Sequence, residues 1–191
     1  SDPVSAGFGL FNAGGIIFMI IGIGLSKMLA DKYGKRNVFG VFLFISTLFI
    51  LVFYVLSPDS INLIFGAQIF HGFFYGITIP LLWAMIADVA DYSEWKNNRR
   101  ATAIIFSAMM VGLKLGLSIG GALVASILGN YGYVPNSVGE QTESAILGTK
   151  MLVSIFPSIP FLVAAALLFF YVIDKKMEEK IEQDLLKKRK S

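Results

Sequence analysis

The chain has 191 residues, of which 55% are hydrophobic and only 15% charged. A soluble domain carries about a quarter charged residues, so water is not the solvent for most of this sequence. The absence of cysteine excludes disulfides, thiolate nucleophiles and cysteine-based metal sites. A net charge of +3 is small; its placement matters more than its size, and no nucleic-acid partner is expected.

In chain order, stretches free of charge occupy residues 3–26, 37–58, 60–87, 101–139 (interrupted only by Lys114) and 151–173. Each holds the roughly 20 apolar residues that carry a helix across a ~30 Å hydrocarbon core. None shows the period-two alternation of a membrane β-barrel, and none has the polar face of a soluble bundle. An all-α membrane protein is therefore expected. Its spans are placed at about 4–28, 37–57, 61–90, 100–128 and 149–173, forming a helical bundle over residues 1–173, with a tail at 174–191.

The first run lacks a basic leader and is too long for a signal peptide. It leads into LADKYGKRNVF, where Asp31 can cap or pair, Gly34 permits a turn with positive φ, and Lys35 and Arg36 form a basic pair. The next connection, SPDSIN, has no Lys or Arg. The third span is longer than a straight crossing needs, and Gly72, Gly76 and Pro80 weaken its middle, where freed backbone can line a cavity. His71, Tyr75 and Trp83 add polar-edged rings; a single histidine among aromatics reads first as a packed residue. IADVADYSEWKNNRRATAIIF then crowds Asp88, Asp91, Glu94, Lys96, Arg99 and Arg100 into a membrane-edge hinge. Such a cluster is either a set of ion pairs that make and break as helices move, or a solvated loop.

Lys114 falls near the middle of the fourth span, too deep for its stem to reach an interface, so its ammonium needs a cavity or an ion-pair partner. Ser107, Met110, Leu117, Ser118 and Gly121 share its face by helical spacing. Gly112, Gly116 and Gly120 recur on nearly the opposite face, a pattern suited to close helix packing. The fourth connection carries Glu140 and Glu143 without a basic residue. In the tail, Met177, Ile181 and Leu185 recur every four residues among Lys and Glu, as in a helix lying on the membrane surface or a solvated one.

Basic and non-basic connections alternate, so the positive-inside bias places the N-terminus outside the cell membrane, with residues 27–36, 91–100 and the C-terminal tail in the cytoplasm. Five spans beginning outside, without an initiator methionine, are expected of the C-terminal piece of a larger multi-pass protein.

WAMIADVADYSEWKNNRRATAIIFS, followed by KLGLSIGGALVASILGNYGYVPN and preceded by DKYGKR, closely resembles the C-terminal half of the glycoside–pentoside–hexuronide:cation symporters. These form the melibiose-permease-like branch of the major facilitator superfamily. The resemblance runs through nearly the whole chain. It implies that the five spans are helices 8–12 of a twelve-helix fold, whose two six-helix halves rock around a midplane site. The partners implied are a sugar or glycoside substrate, membrane lipids, and a missing N-terminal half with helix 7. No metal or cofactor is implied here; a coupling Na+ or H+ is expected to bind in the missing half. Lys114 is implied to line the sugar cavity, with Trp83, Ser107 and Met110 nearby. Asp88, Asp91, Arg99 and Arg100 are implied to form a cytoplasmic gate. Met109 and Met110 stand where many members have a polar pair, and Trp83 lies about a turn from the expected sugar-stacking tryptophan. A transporter of a non-sugar solute is one alternative. A small membrane scaffold, complete as it stands, is another, set against the odd topology and the midspan lysine. An enzyme holding Mg2+ and a diphosphate through Asp88 and Asp91 is the rival of another class, and it would need a second acidic motif that the spans do not offer.

Overall fold

A computed structural model describes residues 3–135 and 141–190, leaving Glu140 outside the described residues. The described chain is helical: α1 Pro3–Tyr33, α2 Lys35–Val55, α3 Ile61–Asn97, α4 Thr102–Asn130, α5 Glu143–Val153, α6 Ile155–Leu167, one turn of 3-10 helix at Leu168–Phe170, and α7 Lys175–Lys190. Five stretches are long and apolar enough to cross a membrane, namely Gly7–Tyr33, Lys35–Val55, Ile61–Asn97, Thr102–Asn130 and Glu143–Phe170.

α1 and α3 run further than the charge-free runs that suggest them. α1 continues to Tyr33 and α2 starts at Lys35, so one residue makes the turn. That residue is Gly34, with φ 85° and ψ 142°, a conformation that side chains with a Cβ rarely adopt. α3 is a single helix through Pro80 to Asn97, ended by Asn98 in the left-handed region at φ 52°. The segment expected as a loop at 91–100 is therefore mostly the last two turns of a helix. The fifth span, in contrast, is broken at Ser154. Pro157 has no N–H for the carbonyl of Val153, which interrupts the ladder there. Ser154 Oγ donates to the Lys150 carbonyl (2.5 Å) and Ser158 Oγ to the Ser154 carbonyl (2.6 Å), so side chains supply hydrogen bonds at the break.

The packed unit is α1, α2, α3 and α6, with α3 against both α1 and α2. Its buried centre is Ala30, Val38, Phe39, Leu43, Ile77, Leu81 and Met85. Stacked rings extend it: Phe49 lies 5.3 Å from Phe70 and 5.6 Å from Phe74, centroid to centroid. α1 and α3 meet backbone to backbone. A Cβ on Gly72 would collide with the carbonyl of Gly15, one on Gly76 with that of Met19, and one on Gly22 with that of Phe73. The expectation that Gly72 and Gly76 loosen α3 to line a cavity is therefore overturned: they let two helices touch. The converse correction falls on α4. Gly112, Gly116 and Gly120 have nothing within 4 Å of a built Cβ, and α4 has no buried residue. The expected close-packing row of that helix meets no neighbour among the described residues.

Candidate functional site: a charge cluster at one end and an open helix face

The one-residue turn at Gly34 sets Lys35 beside the last third of α3. Its Nζ lies 2.7 Å from Oδ1 and 2.8 Å from Oδ2 of Asp88, and 2.9 Å from Oε1 of Glu178 on α7. The side chains of Lys35 and Asp88 are only 23% and 15% exposed, so this cation is held between two carboxylates largely out of water. Burial, followed by the charges of Asp88 and Glu178, raises the Tyr171 phenol above its ordinary value. It stays protonated and donates to the Met85 carbonyl at 3.1 Å. A polar opening of about 390 Å³ at this end is lined by Lys35, Asp88, Asp91, Glu178 and Glu182, with Leu185 at its floor.

The other residues expected at the gate are more loosely held. Arg100 lies 3.8 Å from Asp91 and 3.7 Å from Glu94, and its Nε donates to Thr102 Oγ1 at 3.1 Å. Arg100 is 56% and Asp91 42% exposed, the regime in which an ion pair contributes about 0–1 kcal/mol. Arg99 takes part through its carbonyl, which accepts from Ser93 Oγ at 3.2 Å. The structure thus divides the four expected gate residues. Asp88 belongs to a buried cluster with Lys35 and Glu178, while Asp91 and Arg100 form an exposed pair at the α3–α4 hinge. Sequence reading missed both other members of the Asp88 cluster. Lys35 is read as a plain turn lysine, and Glu178 as one charge among many in the tail.

The tail is also corrected. Ile181 and Leu185 are buried with Ile173 against Val89, Tyr92, Trp95, Tyr171 and Met177. Trp95 Nε1 donates to Asp184 at 3.0 Å, Lys180 lies 5.5 Å from the Trp95 ring centre, and Lys188 donates to Asn98 Oδ1 at 2.6 Å. The apolar stripe therefore docks on the projecting end of α3; it neither lies on a membrane surface nor stands free in solvent.

Lys114, Ser107 and Met110 are exposed on α4, and Trp83 is 37% exposed on α3. Among the described residues no hydrogen bond or ion pair joins these four; the three on α4 share its exposed surface, and no pocket assembles them with Trp83. His71 is a packed residue, as its aromatic setting suggests. Its Nδ1 lies 2.9 Å from the hydroxyl and 3.2 Å from the carbonyl of the fully buried Ser46, and its ring stacks on Tyr75. A polar feature that sequence reading overlooked is Lys150, the one charged residue between Glu143 and Asp174. It donates to the Leu56 carbonyl at 3.1 Å and lies 5.7 Å from the Tyr54 ring centre. It borders an opening of about 640 Å³ at the end of the bundle away from Lys35, shared with Gln68 and His71. Among the described residues no three His, Asp or Glu are placed to hold a metal ion.

The described chain is thus a helical bundle with five helices apolar enough to cross a membrane, a lysine exposed midway along α4, and charged residues gathered at one end. The family model for MFS/sugar transport proteins matches residues 4–175. The chain belongs to that family. Among curated members it is 35% identical over 158 residues to an uncharacterised 29.9 kDa protein of Pseudescherichia vulneris, covering 82% of this chain and 57% of that one. It is 30% identical over 164 residues to a putative glycoside/cation symporter of Escherichia coli, covering 86% and 35%. It is also 30% identical over 176 residues to a glucuronide carrier protein homolog of the same organism, covering 90% and 38%. The chain thus spans a little over half of the first relative and little more than a third of the other two.

Proposed function

We propose that this chain supplies helices 8–12 of a cation-coupled sugar symporter of the cell membrane that works by alternating access. Lys35, Arg100 and the tail face the cytoplasm, and the N-terminus lies outside. The observation that carries the reading is the contrast between a tightly packed α1–α2–α3 unit and an α4 with no buried residue and a midspan lysine. A lysine there is stable only against a polar cavity or a partner charge, and the other half of a symporter would provide both. Lys114 would donate hydrogen bonds to sugar hydroxyls, with Trp83, Ser107 and Met110 alongside. Glycosides and glucuronides, named in two of the relatives, are the substrate class proposed, and the coupling Na+ or H+ would bind in the other half.

The gate then has two parts with different roles. Lys35, Asp88 and Glu178 hold this half together at its cytoplasmic end. Asp91, Arg99 and Arg100, which are exposed and weakly paired, are free to exchange partners with the opposing half as the cytoplasmic side opens and closes. The enzyme reading loses ground on the same geometry, because the Asp88 carboxylate is already paired through both oxygens with Lys35.

Replacing Lys114 with alanine in the intact transporter should weaken sugar binding about thirtyfold, the effect of losing a desolvated charged hydrogen bond of about 2 kcal/mol. Expression and membrane insertion should stay at wild-type levels. Equilibrium binding of radiolabelled sugar decides the matter, and wild-type affinity in that variant would remove Lys114 from the site. Residues 1–191 alone, in proteoliposomes, should insert and transport nothing; cation-driven uptake by them would overturn the half-transporter reading.

A further inference from the structure

Lys35 and Arg36 are adjacent in sequence and point to different sides of α2. Lys35 is spent on Asp88 and Glu178. Arg36 turns toward the segment after α6, where its Nη1 donates to the carbonyl of Tyr171, just past the 3-10 turn, at 2.9 Å. A guanidinium has five N–H donors in a planar fork, and among the described residues Arg36 makes no ion pair. No acidic side chain lies in the first turn of α2, and the Asn37 amide is already used by the Tyr33 carbonyl at 3.2 Å.

Arg36 stands at the head of a groove of about 550 Å³ between α2 and α6. Gly40 forms its floor beside Leu168, and Val41, Phe44, Leu162, Ala166 and Phe169 form its walls. The walls are apolar and outward-facing; Phe169 alone is 84% exposed. α2 has 21 residues, so at 1.5 Å per residue it spans about 31 Å, the thickness of the hydrocarbon core. Its first turn therefore lies at headgroup depth, and the groove descends from there along the acyl region.

We propose that this groove is a binding site for one anionic phospholipid, with the phosphate on the Arg36 fork and an acyl chain lying along Gly40 between α2 and α6. The charge is at the headgroup end only and the rest of the groove is apolar, which is the pattern of a lipid and of neither a soluble anion nor a peptide. Guanidinium pairs bidentately with phosphate, and a basic side chain at the membrane surface favours a net-negative headgroup over a zwitterionic one by about fivefold.

Native mass spectrometry of the intact protein in detergent, titrated with dioleoyl-phosphatidylglycerol or dioleoyl-phosphatidylcholine, tests the site. Wild-type protein should retain the first lipid about five times more tightly than the second. Arg36→Gln should lower phosphatidylglycerol retention to the phosphatidylcholine level, while Arg36→Lys, which keeps the charge, should keep most of the preference. Ala166→Trp, a change at an exposed position, should fill the groove and reduce retention of both lipids. The proposal is overturned if Arg36→Gln preserves the preference, or if Ala166→Trp leaves lipid retention unchanged. It is overturned equally if Ala166→Trp abolishes a dimer while lipid retention stays the same, since a second copy would then be the occupant.

Discussion

α3 and α4 are consecutive spans, both long, apolar and studded with glycine, yet they live in different surroundings. Most of α3 has a partner. Gly72 and Gly76 lie against α1, its middle packs on α2 through Phe70, Phe74 and Ile77, and its end carries α7. α4 has a glycine row and a lysine but nothing buried. Glycine at four-residue spacing is therefore permission for close approach and no guarantee of it; the neighbour has to be there. The difference divides the described chain into a packed unit and an open helix.

The sharpest way to break the comparison is to add the same side chain to both helices. Gly76→Leu would drive a side chain into the Met19 backbone, where little can move, and should destabilise the chain by about 3 kcal/mol or more. Gly116→Leu meets open space and raises helix propensity, so thermal unfolding in detergent should show no loss of stability. Equal losses in the two variants would mean that α4 is packed after all.

A smaller effect is expected at the projecting end of α3. Ile181→Asp would bury a carboxylate beside Ile173 and Trp95, and should release α7 at a cost of about 2 kcal/mol. Hydrogen exchange should then accelerate in residues 175–190 while α1–α3 keep their protection. If α1–α3 lose protection as well, the tail is part of the packed unit's core and does more than cover its end.

Next comes the cluster at Lys35. Lys35→Met should cost about 1–2 kcal/mol, because Asp88 and Glu178 are left facing each other partly buried. Asp88→Asn in the same chain should restore part of that loss. No recovery in the double variant would show that the cation holds something other than Asp88.

The smallest effect falls at the hinge. Arg100→Ala removes an exposed pair and should change stability by less than about 1 kcal/mol, yet in the intact transporter it should slow transport with sugar affinity little altered. Wild-type transport in that variant would make the pair a solvated contact with no part in gating.

The number of spans was legible because charge is so costly in hydrocarbon that its absence over 20 residues carries the message by itself. The periodicity of the tail was legible too: Met177, Ile181 and Leu185 were seen as one stripe. What covers the stripe was not, since a stripe records that a surface is apolar and not which surface it meets. The same limit hid the partner of Asp88, which lies 53 residues upstream in Lys35, and the second acid on that lysine, Glu178 on another helix. Glycine rows in α1, α3 and α4 look alike on paper, and only the helix positions separate the seam from the open face. Lys150 escaped because it sits at the edge of an apolar run, where one lysine does not disturb a reading based on long averages.

The 37 residues of α3 make a rod of about 55 Å at 1.5 Å per residue, which exceeds the hydrocarbon core by about 25 Å. It runs unbroken through Pro80, so a tilt at one end is carried as a rigid rod to the other. A tilt of about 5° about one end sweeps the other through about 5 Å, a full helical turn's worth of travel. α7 is fastened to that end by Ile181, Leu185 and Trp95. The tail is therefore the pointer of a gauge, and a spin label or fluorophore on an exposed α7 position such as Leu186 would display, magnified, helix motions too small to follow inside the membrane.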